Sequence, residues 1–359
     1  MLTRQPFDFF IQWHLTERCN LRCVHCYQSG TCKEEVPFSE IRRVIGEVKE
    51  MVETWEGAYD LSFSLSYNIT GGEPFLRADL FDVLKQIKGS RGAVYLLTNG
   101  TLVTPERAQK LAAHGVQGVQ VSIEGPEKVH DQIRGRGNFS KALRGVEHLL
   151  EAGITVTLNA TLSRINRDYL IDFVHLASEL GVQRLGFSRL VPAGRGTGLL
   201  AEMLKSEEVR RLYEKAFSVQ VPGVEIVTGD PIASQLREAG GEDLGSTPFG
   251  GCAAGVSGLT FLPDGTITPC RRLPVPVGNI QTDALREVWA TSNVLNLLRD
   301  RSAYKGKCGQ CDRWANCRGC RAIAYAYARS KGRDDPVAED PQCFVEHGKN
   351  KREEGRPFH

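Results

Sequence analysis

The apolar positions of this chain follow two alternating periods. Short strand-like runs occupy residues 10–15, 62–70, 93–98, 116–123, 154–160 and 184–190. Between them apolar residues recur at helical spacing. The first such stretch runs from Ser39, read as an N-cap, to Trp55, with Ile41, Val44, Ile45, Val48, Met51 and Val52 on one face. Further helices are predicted near 79–88, from Pro105 at a first-turn proline position, and over 140–152, 168–180 and 206–218. Strands alternating with helices imply parallel pairing and right-handed crossovers. Six units rather than eight predict an α/β fold built as a partial (β/α)6 TIM-like barrel. In such barrels the chemistry sits at the C-terminal ends of the strands, and here those ends are polar or glycine-rich.

After the sixth unit the pattern changes. Residues 1–9 are a lead-in and 10–218 the barrel. Residues 219–250 form a looser connector rich in Gly, Pro and acidic residues. Residues 251–345 read as a smaller, cysteine-rich α+β domain. It opens with a hairpin (259–262 and 266–268, turning at Pro263-Asp264-Gly265) and includes a helix near Ala322–Arg329. The tail, 346–359, is expected to be solvated from Lys349 to His359.

Composition narrows the function. The chain has 359 residues and a net charge of +2 with both signs mixed, so neither a nucleic-acid nor a membrane patch is expected. The longest apolar runs are strand-sized. No basic segment followed by an apolar run stands at the N-terminus, so a cytoplasmic location is expected. The eleven cysteines are clustered: four lie in 19–32, none before 252, and seven from there to 343. Such clustering points to thiolate ligands in a reducing compartment rather than to disulfides.

The first predicted strand delivers Cys19, Cys23 and Cys26, spaced C-x3-C-x2-C. Three thiolates in one loop can hold three irons of a [4Fe–4S] cluster and leave the fourth open. A zinc site completed by His14 or His25 is the alternative from spacing alone. The next strand ends in Gly71-Gly72-Glu73-Pro74, where two glycines permit close approach of a ligand. The loop, and this motif at the very next strand end, resemble the radical SAM (S-adenosylmethionine) superfamily. The resemblance implies that Gly71–Pro74 contact the SAM methionine, and that Ser122 and Glu124 lie near its ribose and carboxylate. Asn159 and Arg189 are further implied contacts, and Val191 an apolar one to adenine. His25 stands where the family usually has an aromatic beside adenine, and packing rather than acid–base chemistry is expected of it. Asn99 reads as a turn former, and Cys32 as a spare thiol.

The remaining cysteines are Cys252, Cys270, Cys308, Cys311, Cys317, Cys320 and Cys343. The two C-x2-C pairs at 308–320 would suffice for one structural zinc. With the other three they resemble the SPASM extension of radical SAM enzymes, which carries one or two auxiliary iron–sulfur clusters. By that resemblance Cys308, Cys311, Cys317 and Cys343 ligate one cluster, and Cys252, Cys270 and Cys320 the other. Two departures bear on the second set. Two residues rather than the usual three lie between Cys317 and Cys320, and no extra cysteine lies between 252 and 270. Its fourth ligand therefore stays open.

The implied reaction is reductive cleavage of SAM to methionine and a 5′-deoxyadenosyl radical, which abstracts an unactivated hydrogen. A flavodoxin- or ferredoxin-type protein would supply the electron. Most SPASM relatives modify ribosomally made peptides, so oxidative peptide maturation is the first expectation. With fewer than ten residues before the first predicted strand, either a separate protein delivers the peptide or the substrate is small. Tetrapyrrole side-chain modification, as in haem or haem d1 synthesis, is the alternative; Arg195 and Arg271-Arg272 would meet propionates. Arg271, where the sulfatase-maturing branch has aspartate, argues against that branch, and the Arg-Pro-Phe-His end against molybdopterin-type synthesis. A non-catalytic iron–sulfur electron carrier is the reading from a different class, and would need none of the SAM contacts.

Overall fold

A computed structural model of the chain describes residues 6–30, 34–236, 247–248 and 250–345. Cys32, the tail from Lys349, and parts of the lead-in and connector lie outside the described residues. The strands are β1 (Phe7–His14), β2 (Phe63–Thr70), β3 (Ala93–Thr98), β4 (Val116–Ser122), β5 (Thr155–Leu162), β6 (Arg184–Arg189), β7 (Glu225–Val227), β8 (Gly258–Phe261), β9 (Thr266–Thr268) and β10 (Gly278–Asn279). The helices are α1 (Phe38–Tyr59), α2 (Leu80–Lys88), α3 (Pro105–Ala113), α4 (Glu127–Arg134), α5 (Asn138–Glu151), α6 (Leu170–Glu179), α7 (Ser206–Ser218), α8 (Leu285–Thr291), α9 (Asn293–Arg299), α10 (Gly306–Gln310) and α11 (Arg321–Ser330). No helix among them is long and apolar enough to cross a membrane.

One sheet runs in the order β10-β9-β8-β1-β2-β3-β4-β5-β6-β7. Strands β1 to β7 pair in parallel in chain order, as the alternation requires. The six expected strands are present, and short β7, inside the connector, adds a seventh. The predicted hairpin is β8–β9, with Gly265 at φ +83 in its turn. It does not stand apart from the barrel, because β8 pairs in parallel with the outer edge of β1, Phe10 to Trp13 against Gly258 to Phe261. The main core lies between sheet and helices. Ile41, Val44, Ile45, Val48, Met51 and Val52 of α1 pack there with Phe9, Ile11, Trp13, Tyr67 and Ile69.

Two local expectations are corrected. Ser39 is not the cap of α1: the helix begins one residue earlier, behind Pro37 at φ −68, and ends at Asp60 in the left-handed region. Helix α4 was not visible in the pattern. Its eight residues bury only Val129, His130 and Ile133, too few for a periodic signal.

Candidate active site

A cavity opens at the C-terminal ends of the parallel strands. Thr70, Thr98, Ser122, Asn159, Thr161, Ser188 and Arg189 line it from those ends. The loop after β1 contributes Cys19, Cys23 and Cys26, so the three thiols face one space. Their loop is held from several sides. Leu21 N donates to Cys19 Sγ at 3.4 Å and Asn99 Nδ2 to the same sulfur at 3.9 Å. Arg134 Nη1 approaches Cys23 Sγ at 3.8 Å. Gly196 N bonds Cys26 O at 3.0 Å, and Gly194, at φ +57, lies so close that a Cβ would meet Tyr27 O at 2.3 Å.

The glycines of the second motif have a different first neighbour from the one expected. A Cβ on Gly71 would meet Thr16 O at 2.5 Å, and one on Gly72 would meet Arg18 O at 2.3 Å. It is the cysteine loop's own backbone that approaches closely, through Gly72 N to Thr16 O (2.7 Å) and Glu73 N to Arg18 O (2.8 Å). Both glycines still border the cavity. Pro74 is buried in a short 3-10 turn behind it, and Glu73 is fully buried. Glu73 accepts from Thr98 Oγ1 (2.8 Å), Asn99 N (2.9 Å) and Phe75 N (3.4 Å). Burial pushes its pKa up to about 7 against those hydrogen bonds.

His25, Ser122, Asn159 and Val191 all line the cavity. Behind them sits a buried charge network. Glu124 Oε1 meets His25 Nε2 at 3.0 Å and Arg134 Nη2 at 2.5 Å, and Oε2 accepts from Thr161 N at 2.8 Å. Burial alone would raise the Glu124 pKa, but Arg134 and His25 override it and hold the carboxyl well below its usual range. His25 is thus oriented through its ring nitrogen, while Nδ1 stays buried without a partner among the described residues. Arg134 was missed in the sequence because it lies on α4.

Arg189 is held in place by the protein itself. It borders the cavity, but all three guanidinium nitrogens are taken by Asp230, Asp340 and Gln342, at 2.6 to 3.0 Å. Strand β6 is thereby tied to the segment after α11. Besides Arg134, three further arginines on the wall, Arg195, Arg271 and Arg272, form no ion pair with a carboxylate among the described residues. Arg271 lies over the Tyr27 ring at 5.8 Å, and Arg272 Nε is buried without a hydrogen-bond partner among the described residues. His14 does not join the thiols: it contacts Tyr27 Oη and Gln28, and burial with Arg271 nearby pushes its pKa down to about 3.

A second, much smaller cavity is lined by Cys308, Cys311, Cys317 and Cys343 with Gln235, Lys307, Arg318 and Gly319. A single zinc on the two C-x2-C pairs would require Cys320 there instead of Cys343. Cys320 turns away because Arg318 (φ +60) and Gly319 (φ +61) are both left-handed, which reverses the chain within the two-residue spacing. Cys320 N donates to Asp340 Oδ2 at 2.8 Å, and its thiol lies within electrostatic reach of Cys252 and Arg272. Arg272 is in turn within reach of Cys270. Burial pushes the Cys311, Cys317 and Cys343 thiols up to about 11. Buried thiols of this kind ionise when a metal replaces their protons. Three cysteines line one cavity and four line another, several with N–H donors on their sulfurs; thiols are soft donors of the type that iron–sulfur clusters take.

The family model of the radical SAM superfamily matches residues 13–177, and that of the SPASM iron–sulfur cluster-binding domain matches 252–321. The AdoMet-dependent heme synthase of Methanosarcina barkeri is 35% identical over 353 residues, 94% of this chain and 97% of that protein. Mycofactocin maturase MftC of Mycobacterium tuberculosis is 30% identical over 351 residues, 94% of this chain and 83% of that one. Among solved structures, Streptococcus suis SuiB bound to S-adenosylmethionine superposes with a TM-score of 0.73 at 18% identity, over 94% of this chain and 78% of that one. Native anSMEcpe with bound AdoMet gives 0.70 at 20% identity, over 94% of both chains. At these identities the structures speak for the fold alone.

Proposed function

This chain belongs to the radical SAM superfamily, in its SPASM branch, and on that premise we propose that it oxidises a carboxylate-bearing side chain of a tetrapyrrole. It is an enzyme that uses S-adenosylmethionine and iron–sulfur clusters. When bound, those groups supply a carbon radical able to take an unactivated hydrogen, which is the hard part of the chemistry. Cys19, Cys23 and Cys26 would hold the SAM-binding cluster. Cys308, Cys311, Cys317 and Cys343 would hold one auxiliary cluster, and Cys252, Cys270 and Cys320 the other. Gly71 and Gly72 keep the cysteine loop seated, and Ser122, Asn159, His25 and Val191 would frame SAM. Glu124 and Arg134 fix His25 and the Cys23 side of the loop.

The observation that carries the substrate class is the trio Arg195, Arg271 and Arg272 on the cavity wall, without carboxylate partners among the described residues. Guanidinium groups in that state suit anionic oxygens, and carboxylates pair with them bidentately. The 35% identity to an AdoMet-dependent heme synthase supports the same class. A second reading, oxidative maturation of a ribosomally made peptide, is supported by the 30% identity to MftC.

The test is 5′-deoxyadenosine formation by reconstituted, anaerobically reduced protein with SAM and a propionate-bearing porphyrin. Porphyrin-dependent release is expected, with KM raised at least tenfold in Arg271→Gln. No porphyrin-dependent release, together with release driven by a peptide, overturns the tetrapyrrole reading in favour of the peptide one.

A further inference from the structure

Two buried arginines stand between the two sets of C-terminal cysteines, and neither pairs with a carboxylate among the described residues. Arg321 opens α11 and is 0% exposed. Its Nη2 donates to Cys308 Sγ at 3.7 Å and its Nη1 to Ala338 O at 2.7 Å. The guanidinium lies over the Tyr304 ring at 4.9 Å, and Nε is buried with no partner among the described residues. Arg318 is 2% exposed and holds a left-handed backbone. It spends its donors on the carbonyls of Ala315, Gly250 and Cys252.

Each arginine reaches one cysteine from each set. Arg321 lies within electrostatic reach of Cys308 and Cys252, and Arg318 of Cys317 and Cys252. The acid within reach of Arg321 is Asp340, whose two oxygens are already held by Arg189. A guanidinium withdrawn from water without a counter-ion is costly. The described carboxylates do not supply the offsetting anion, but thiolates bound to iron would provide it on both sides.

Resting on the assignment of both cysteine sets to iron–sulfur clusters, we infer that Arg318 and Arg321 are fixed counter-cations shared by the two auxiliary clusters. Arg321, as a charged donor to the Cys308 sulfur, is a positioning residue that raises the reduction potential of the Cys308/Cys311/Cys317/Cys343 cluster. Reduction adds one negative charge to a cluster, and an adjacent buried cation stabilises that form. Hydrogen bonds to ligand sulfurs and net charge nearby are the protein's means of setting such potentials.

The experiment uses the full chain with Cys19, Cys23 and Cys26 changed to alanine, reconstituted anaerobically, so that only auxiliary clusters remain. Iron content is measured first. About eight irons per chain are expected for two [4Fe–4S] clusters. About four would sink the assignment of the Cys252/Cys270/Cys320 set, while the Arg321 measurement still stands on Cys308. Redox titration followed by electron paramagnetic resonance then compares Arg321→Gln with this parent. The reduced-to-oxidised ratio at fixed potential is expected to fall about tenfold, roughly 59 mV for a one-electron couple, and Arg321→Lys is expected to restore most of it. An unchanged midpoint in Arg321→Gln with iron intact overturns the inference. So does an Arg321→Lys midpoint displaced as far as that of the Gln variant, since packing rather than charge would then be responsible. Should Arg321→Gln lose its iron, Arg318→Gln decides by the same titration, and an unshifted midpoint there also overturns it.

Discussion

Replacing Arg189 with methionine isolates what joins the barrel to the segment after α11. Arg189 is 0% exposed, and its partner carboxylates on Asp230 and Asp340 are nearly or fully buried. Methionine keeps the apolar stem but strands both acids. Removing one partner of a buried ion pair costs about 3–5 kcal/mol. The lower part of that range applies, because each acid keeps other donors: Tyr213 Oη (2.7 Å) and Ile232 N (3.2 Å) on Asp230, Cys320 N (2.8 Å) and Gln342 N (2.9 Å) on Asp340. Urea unfolding of the anaerobic protein at pH 7.5 would read the loss. The triple variant Arg189→Met, Asp230→Asn, Asp340→Asn should recover at least half of it, because the stranded charges are gone. Burial opposes ionisation of Asp340, but Arg189 outweighs it and lowers its pKa, so its contribution is present above about pH 4. It is lost as the acid protonates, and the gap between wild type and Arg189→Met should narrow below that pH. A loss under about 1 kcal/mol, the size of an exposed pair, or no recovery in the triple variant, would refute the reasoning.

Gly72→Ala drives a Cβ to within 2.3 Å of Arg18 O. The cysteine loop must shift, so SAM affinity measured by equilibrium dialysis should drop more than tenfold; an unaltered affinity would contradict the close approach described. His130 is 1% exposed, and burial chiefly pushes its pKa down to about 4. A histidine with a depressed folded pKa contributes stability above its unfolded pKa of about 6.5 that disappears as pH falls toward about 4. His130→Gln should therefore flatten the stability–pH curve in that window by up to about 3 kcal/mol, and parallel curves would rule this out.

What the chain reveals before folding depends on how far apart the cooperating residues lie. Cys19, Cys23 and Cys26 are neighbours in one loop, and Gly71–Gly72 sit at a strand end, so spacing alone was informative. The alternation of strands and helices carried the barrel, because each unit buries one periodic face. The Glu124 network was invisible, since His25 and Glu124 are 99 positions apart and Arg134 sits on a short polar helix. Arg189 came into view only through the family resemblance. Its partner Asp340 is 151 positions away, and no local pattern marks such a pair. The tight Cys317–Cys320 spacing became intelligible only through two successive left-handed residues.

The pairing of β8 with β1 has a consequence for how the chain is made. The first strand leaves the ribosome early, yet the edge it offers to Gly258–Phe261 finds no partner until those residues emerge. At about 5–20 residues per second, that gap of chain takes roughly 12–50 s to synthesise. For that interval the nascent protein carries a strand containing Phe9, Ile11 and Trp13 with one row of backbone donors and acceptors unpaired, the kind of edge that recruits other chains. The small C-terminal hairpin is thus also the cap that ends this exposure.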